Sequence, residues 1–198
     1  DRLGGIAVHE GYPGHHLQLS AASRLASPLR ARIVGTFPLD RAGDLGVDLV
    51  EGWAHYCEEA MLAAGFHGGE GLRWHLRNDQ VWRAVRILLD VRLPLGRVDF
   101  DGAVGMLCQE AGLGRAAAEA EVRRYTRSPG YQLCYLLGKL GLEQLMEDLR
   151  EPWGARWSAR RFHDLVLEAG CIPVQMLRRF EAEERAAGGG SDPAPREG

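Results

Sequence analysis

An all-α fold is the prediction for this chain of 198 residues, and three observations carry it. Apolar residues recur at helical spacing, as Val81, Val85, Leu88 and Leu89 do. Helix starts and stops punctuate the chain at intervals that suit helices, with Asp44 and Asp99 as N-caps and Gly65 and Gly112 as terminators. No segment reads as a strand, and no internal repeat is present.

The elements follow in order. One helical stretch runs from Val8 to about Ile33 and is interrupted at Gly11-Tyr12-Pro13-Gly14. A loop with Gly35, Pro38 and Gly43 leads to Asp44, which caps a second helix from Leu45 to about Ala64, ended by Gly65. The third helix spans about Glu70 to Leu93 and stops at Pro94 and Gly96. Asp99 caps a short fourth helix through Ala111, and a fifth runs from Arg115 to about Tyr125. Ser128-Pro129-Gly130 breaks the chain before a sixth helix, about Tyr131 to Leu149. The last runs from about Ala159 to Ala187, with a break near Gly170 and Pro173. Residues 1–187 therefore read as one helical region. Gly188 to Gly198 carry no apolar anchor and read as a disordered tail.

Composition narrows the function. Lys and Arg number 24 against 27 Asp and Glu, for a net charge of −3. Without a clustered basic field, a nucleic-acid partner is excluded. No run approaches the ~20 apolar residues that a membrane span needs. Cys57, Cys108, Cys134 and Cys171 form no CxxC pair, so neither a thiolate zinc site nor a redox dithiol is expected. They read as small buried residues in a reducing compartment, which places the protein in the cytoplasm. No leader segment is visible, and a start at Asp1 reads as the C-terminal portion of something longer.

The chemistry concentrates in His9-Glu10-Gly11-Tyr12-Pro13-Gly14-His15-His16. Zinc peptidases commonly present H-E-x-x-H on a helix, where His residues at i and i+4 reach one ion and the Glu polarises water. Here the second His is at i+6, roughly 120° round and about 9 Å along an ideal helix. A regular helix would keep the two imidazoles apart. Pro13 lacks an N–H and clashes with the carbonyl four residues back, that of His9, while Gly11 and Gly14 admit unusual backbone angles. A local bulge of two residues would return His15 to the i+4 place. His16, at i+7, is the poorer ligand. On these eight residues alone, a metal site and a chance His-Glu pair followed by a turn fit equally well.

A zinc site needs a third protein ligand. Glu51-Gly52-Trp53-Ala54-His55-Tyr56-Cys57-Glu58-Glu59 follows the apolar turn Val47-Asp48-Leu49-Val50, so Glu51 is expected to be buried and must be paired or ligated. Gly52 lets another backbone approach, and Trp53 supplies a wall. His55 shares a face with Glu51. Glu58 and Glu59 fit a solvated acidic stripe better than Glu51 does.

Four segments in order, HEGYPGHHLQ, EGWAHYCEE, RYTRSPGYQLCYLLGK and RFHDLVLEAGCIPVQML, resemble the bacterial family called domain of unknown function 885 up to about residue 180. The resemblance implies a zincin-like metallopeptidase of the mostly helical kind, of which this chain is the C-terminal half. It implies His9, His15 and Glu51 as Zn(2+) ligands and Glu10 as the catalytic base. Arg124, Tyr125, Gln132 and Tyr135 would line the substrate side, with Tyr125 or Tyr135 as oxyanion donor and an Arg holding a carboxylate. His16 is assigned to the substrate side, or with Asp48 to orienting a ligand imidazole. The chain departs from the family in carrying Pro94 where a His often stands, and in lacking a long N-terminal part.

The expected function is zinc-dependent hydrolysis of peptide or amide bonds, with Glu10 as general base toward zinc-bound water. The alternative is a non-catalytic helical module that holds a metal or packs against a partner. Expected partners are a peptide or amide substrate and either the missing N-terminal half or a second copy. A di-iron bundle needs Glu-x-x-His pairs on two helices, which are not found. His67 and His75 read as surface residues, and His163 as a hydrogen-bonding group at a helix start.

Overall fold

The computed structural model describes residues 2–28, 30–31, 46–66 and 69–186. The expected loop of Gly35, Pro38 and Gly43, the Asp44 cap, His67 and the tail from Gly188 lie outside the described residues. No strand occurs among the described residues, and the all-α prediction holds.

The chain opens with α1 (Arg2–Ile6), passes without a break into a π-helical turn (Ala7–Gly11), and resumes as α2 (His15–Ala22). The interruption falls at the Gly-Tyr-Pro-Gly segment, as the sequence predicts, but α2 ends well short of Ile33. Arg24 and Leu25 donate three residues back instead of four. Pro28 then offers no N–H and disfavours helix at Ser27. The Arg30 carbonyl accepts from Cys171 at 2.8 Å, so it is spent outside any helix.

Next come α3 (Val47–Ala63), α4 (Glu70–Arg92), α5 (Phe100–Glu110) and α6 (Arg115–Arg127). Asp99 caps α5 as expected, its carboxylate accepting from the Gly102 N–H at 2.8 Å. The chain continues through α7 (Leu133–Asp148), α8 (Arg150–Trp153), a 3₁₀ turn (Gly154–Arg156) and α9 (Ala159–Ala169). A second 3₁₀ turn (Val174–Met176) leads to α10 (Leu177–Ala186). α7 starts two residues later than expected, because the amides of Gly130 and Gln132 donate to the Asp90 carboxylate and Gly130 takes a left-handed φ of 88°. The predicted break at Gly170 and Pro173 separates α9 from α10. Ser158, not His163, caps α9, accepting from the Arg161 N–H at 3.1 Å. His163 instead reaches across to the Tyr56 hydroxyl at 2.9 Å.

Two large apolar cores form among the described residues, beside a small cluster of Ala22, Val50 and Cys171. One joins α3, α7, α9 and α10 through Leu49, Trp53, Leu142, Phe162, Val166 and Leu177, with Val8 from the π turn. The other joins α4, α5 and α6 through Val85, Leu89, Val104, Leu107, Val122 and Tyr125. Each fully buried Leu or Phe contributes about 1.5–3 kcal/mol. Cys57 and Cys171 are buried, and Cys108 and Cys134 partly so.

The closest helix pair is α3 with α7. A Cβ on Gly138 would stand 1.9 Å from the Asp48 carbonyl oxygen, and one on Gly52 would stand 2.4 Å from the Gly138 carbonyl carbon. Backbone therefore lies on backbone at this crossing, the close approach that Gly52 suggested. The turn before α7 is thereby fixed beside Glu51.

Candidate metal centre

The kink is built from the residues that predicted it. The π turn adds a residue to the helical repeat, and the Tyr12–Pro13 peptide, which is cis, carries the chain across to α2. The Gly14 N–H donates to the Val8 carbonyl at 3.0 Å, where a side chain on Gly14 would meet the His9 carbonyl oxygen at 2.0 Å. The Pro13 carbonyl is held in turn by the Trp53 indole N–H at 2.9 Å. The tryptophan of the EGWA segment thus pins the kink to α3.

The consequence is convergence. The rings of His9 and His15 stand edge to face with centroids 4.7 Å apart. The Nε2 atoms of both lie 3.6 Å from the same oxygen, Oε2 of Glu51. Those separations are too long for hydrogen bonds but suit donors sharing one ion: atoms ~2.1 Å from a tetrahedral metal stand about 3.4 Å apart. One ligand atom from each of His9, Glu10 and His15 also lies within 4.8 Å of the others. Glu51 is buried, whereas Glu10 is exposed. The residues present therefore fit a divalent ion, which His9 and His15 would hold together with Glu51.

Partners behind the ligands complete the set. The His9 Nδ1 is 2.6 Å from Glu58 Oε1, which leaves Nε2 to face Glu51. Glu58 also receives both Nη atoms of Arg83, at 2.9 and 3.3 Å. The Tyr131 hydroxyl donates to Glu51 Oε1 at 2.6 Å, leaving Oε2 toward the imidazoles. The expectation that Glu58 belongs to a solvated stripe is overturned: it is buried between His9 and Arg83. Glu59 is the half-exposed one, paired with Lys139 at 3.2 Å.

Electrostatics follow from this packing. Burial alone would lower the His9 pKa, but the carboxylates of Glu51 and Glu58 outweigh it and raise the imidazole to about 9. Burial would raise both carboxyls, yet the surrounding imidazoles hold both well below the ordinary range, helped by Tyr131 at Glu51 and Arg83 at Glu58. Burial and the charge of Glu51 push the Tyr131 phenol up, so it remains a neutral donor. His55, fully buried and 3.4 Å from Glu58 Oε2, is lowered by burial.

The remaining predicted residues divide. Tyr135 lines a cavity of about 200 Å³ together with His9, Glu10, Glu58, Arg83 and Arg86. Tyr125 is 1% exposed in the second core, and its hydroxyl accepts from the Trp82 indole at 3.2 Å. Arg124 grips Glu121 at 2.7 Å at the surface. Gln132 is buried, accepting from Arg86. His16 is exposed on α2, and the Asp48 carboxylate accepts from the Val174 N–H at 3.1 Å. The carboxylate that orients a ligand imidazole is thus Glu58's. Sequence reading missed Glu58 in this role, and also Tyr131, Arg83 and Arg86. Glu58 lies seven residues after Glu51, two turns along the same face, and that was its available signal.

The family described as "Bacterial protein of unknown function (DUF885)" matches residues 2–180. The chain is similar to the crystal structure of a candidate lipoprotein from Colwellia psychrerythraea, with a TM-score of 0.79 and 26% identity, covering 92% of this chain and 30% of that one. It is also similar to a candidate lipoprotein of unknown function from Shewanella oneidensis, with a TM-score of 0.74 and 25% identity, covering 91% and 31% respectively. The chain thus spans under a third of the length of these solved structures. No curated protein matches it.

Proposed function

The chain belongs to this bacterial family of unknown function, DUF885, and on that premise we propose that it is the metal-bearing part of a zinc-dependent peptidase or amide hydrolase. One observation carries the reading: two Nε2 atoms from a kinked helix meet one carboxylate oxygen from a neighbouring helix at 3.6 Å each. Two imidazoles and a carboxylate suit zinc. When bound, zinc would act as a Lewis acid that acidifies water and polarises a carbonyl.

The chain's own residues do the rest. Glu10, exposed beside the imidazoles, takes the proton from the attacking water and returns it to the leaving amine. Glu58 fixes the ring of His9 and keeps its Nε2 inward. Tyr135, on the cavity wall, is the phenol placed to donate to the developing oxyanion. Tyr125 packs in the core and lends no atom to the cavity. The substrate is a peptide or amide, and the rest of a longer chain or a second copy supplies the opposite wall. A cytoplasmic location goes with this reading, and no helix among the described residues is long and apolar enough to cross a membrane.

Glu10→Gln tests this reading. Hydrolysis of a peptide library should fall by at least about 10³-fold while zinc content, measured by elemental analysis, stays near one per chain. His9→Ala and His15→Ala should each lose the metal. Retained turnover in Glu10→Gln would remove that residue from its role. Bound zinc without turnover in any form would favour a metal-holding module.

A further inference from the structure

Arg86 is the charge in this protein that the reading above leaves unexplained. It sits on α4, is 5% exposed, and lines the cavity that His9 and Glu10 also line. A buried guanidinium is costly unless a carboxylate or comparable acceptor matches it. Its neighbour Arg83 has that match in Glu58 at 2.9 Å. Arg86 makes no ion pair among the described residues. Its Nε and Nη2 both donate to one neutral oxygen, Oε1 of Gln132, at 3.1 and 2.5 Å. Its plane lies over Tyr135, 4.1 Å from the ring centroid, with Trp82 at 5.5 Å.

The carboxylates around it are spent elsewhere. Asp90, one turn along α4, accepts the amides of Gly130 and Gln132. Glu121 binds Arg124. Glu58 binds His9 and Arg83, and Glu51 binds Tyr131. Glu10, Asp79 and His75 also face the cavity, but none is ion-paired with Arg86. The arrangement holds a guanidinium rigidly, by an amide on one edge and an aromatic ring on one face, without neutralising it. That is how a protein presents a fork to a planar anion that arrives from outside.

We infer that Arg86 receives a carboxylate of the ligand that enters this cavity, and so sets which peptides or amides the site accepts. The inference rests on the hydrolase reading only for calling that ligand a substrate. The Arg124 expected from the sequence to do this is engaged at the surface, and Arg86, on the wall of the cavity that His9 and Glu10 also line, takes its place. Two sources of the anion share the chemistry: a chain-terminal carboxylate and an acidic side chain.

Calorimetric titration of the purified protein, without chelator, separates these outcomes and does not read turnover. The probes are N-acetyl-Gly-Gly, its C-terminal amide, and N-acetyl-glutamate amide. At least one carboxylate probe should bind about tenfold or more tightly than the neutral amide, and the better of the two identifies the source. In Arg86→Gln that preference should vanish. Should the variant fold poorly, hydrogen exchange on the wild type decides, with carboxylate-dependent protection expected in the α4 segment around Arg86. Equal binding of all three probes overturns the inference. So does a preference that survives in Arg86→Gln, because the anion would then sit on the imidazoles. A carboxylate preference in a protein that never hydrolyses anything would sustain Arg86 and sink the hydrolase reading alone.

Discussion

Tyr131 shows how one hydroxyl can set the chemistry of a carboxylate. Glu51 has two oxygens, and the phenol occupies Oε1 at 2.6 Å while Oε2 faces His9 and His15. Remove the hydroxyl and the carboxylate is free to rotate, so part of the preorganisation for a metal is lost. Partners of ligands typically alter metal affinity by about 10–100-fold when mutated. Tyr131→Phe should therefore weaken zinc binding by about tenfold or more, read by competition with a chromophoric chelator, with the helical circular dichroism unchanged. Tyr125→Phe makes the contrast, because its hydroxyl meets Trp82 and Glu121 in the second core and none of His9, His15 and Glu51. That change should leave zinc affinity alone and cost about 1 kcal/mol of stability. Identical zinc affinity in wild type and Tyr131→Phe would mean that the phenol merely packs. The sequence pointed to Tyr125 and Tyr135 through a family pattern, whereas Tyr131 owes its role to a partner 80 positions away, which no local spacing reveals.

Elements place these residues, and the α3–α7 crossing is the element that decides most. Gly138 touches the Asp48 carbonyl so closely that a methyl group has no room, and the atom in the way is backbone. Gly138→Ala must push α7 off α3, carrying the Tyr131 turn with it. The expected cost is about 3 kcal/mol, seen as a lower thermal midpoint, together with weaker zinc binding. Gly105→Ala in α5 is the internal control: a Cβ there meets nothing within 4 Å, and the change should stabilise by about 0.5–1 kcal/mol. A Gly138→Ala protein with an unshifted midpoint would contradict the close crossing. Much at this scale was legible beforehand. Asp99 at a cap, Gly-Tyr-Pro-Gly as a kink and Gly52 as a contact point all act through local geometry, which a sequence records. The late start of α7 was not legible, because it depends on a distant group, Asp90 for the Gly130 and Gln132 amides, whereas the early end of α2 had a local signal in Pro28. Glu58 was misread for a similar reason, since a carboxylate on a polar-looking stripe declares itself buried only once Arg83 and His9 are placed against it.

At the scale of the molecule, the candidate centre adds a cross-link between the N-terminal kink and the α3–α7 pair. Its ligands come from the N-terminal kink and from α3, and the Tyr131 partner from the turn before α7. α5 and α6 hold a separate core with α4 and contribute no ligand. The N-terminal segment is anchored at few apolar points: Leu3, Ile6 and Tyr12 are exposed, Val8 enters the main core, and Ala22 with Leu19 packs in a small cluster with Val50 and Cys171. A ligand that binds the folded state stabilises it by about 2.7 kcal/mol at a hundredfold excess over Kd, and that stabilisation acts where the ligand's contacts are. Removing the metal should then loosen residues 2–22 first and leave α5 and α6 as they were. Hydrogen exchange with and without a strong chelator measures this. Amides of 2–22 should lose protection by about 100-fold on chelation, the equivalent of that free energy, while those of Phe100–Arg127 change little. His9→Ala should show the loosened pattern whether or not zinc is supplied. Uniform loss of protection across the chain would instead describe a single cooperative unit, and no change anywhere would mean that the two imidazoles and the carboxylate converge without an ion to hold.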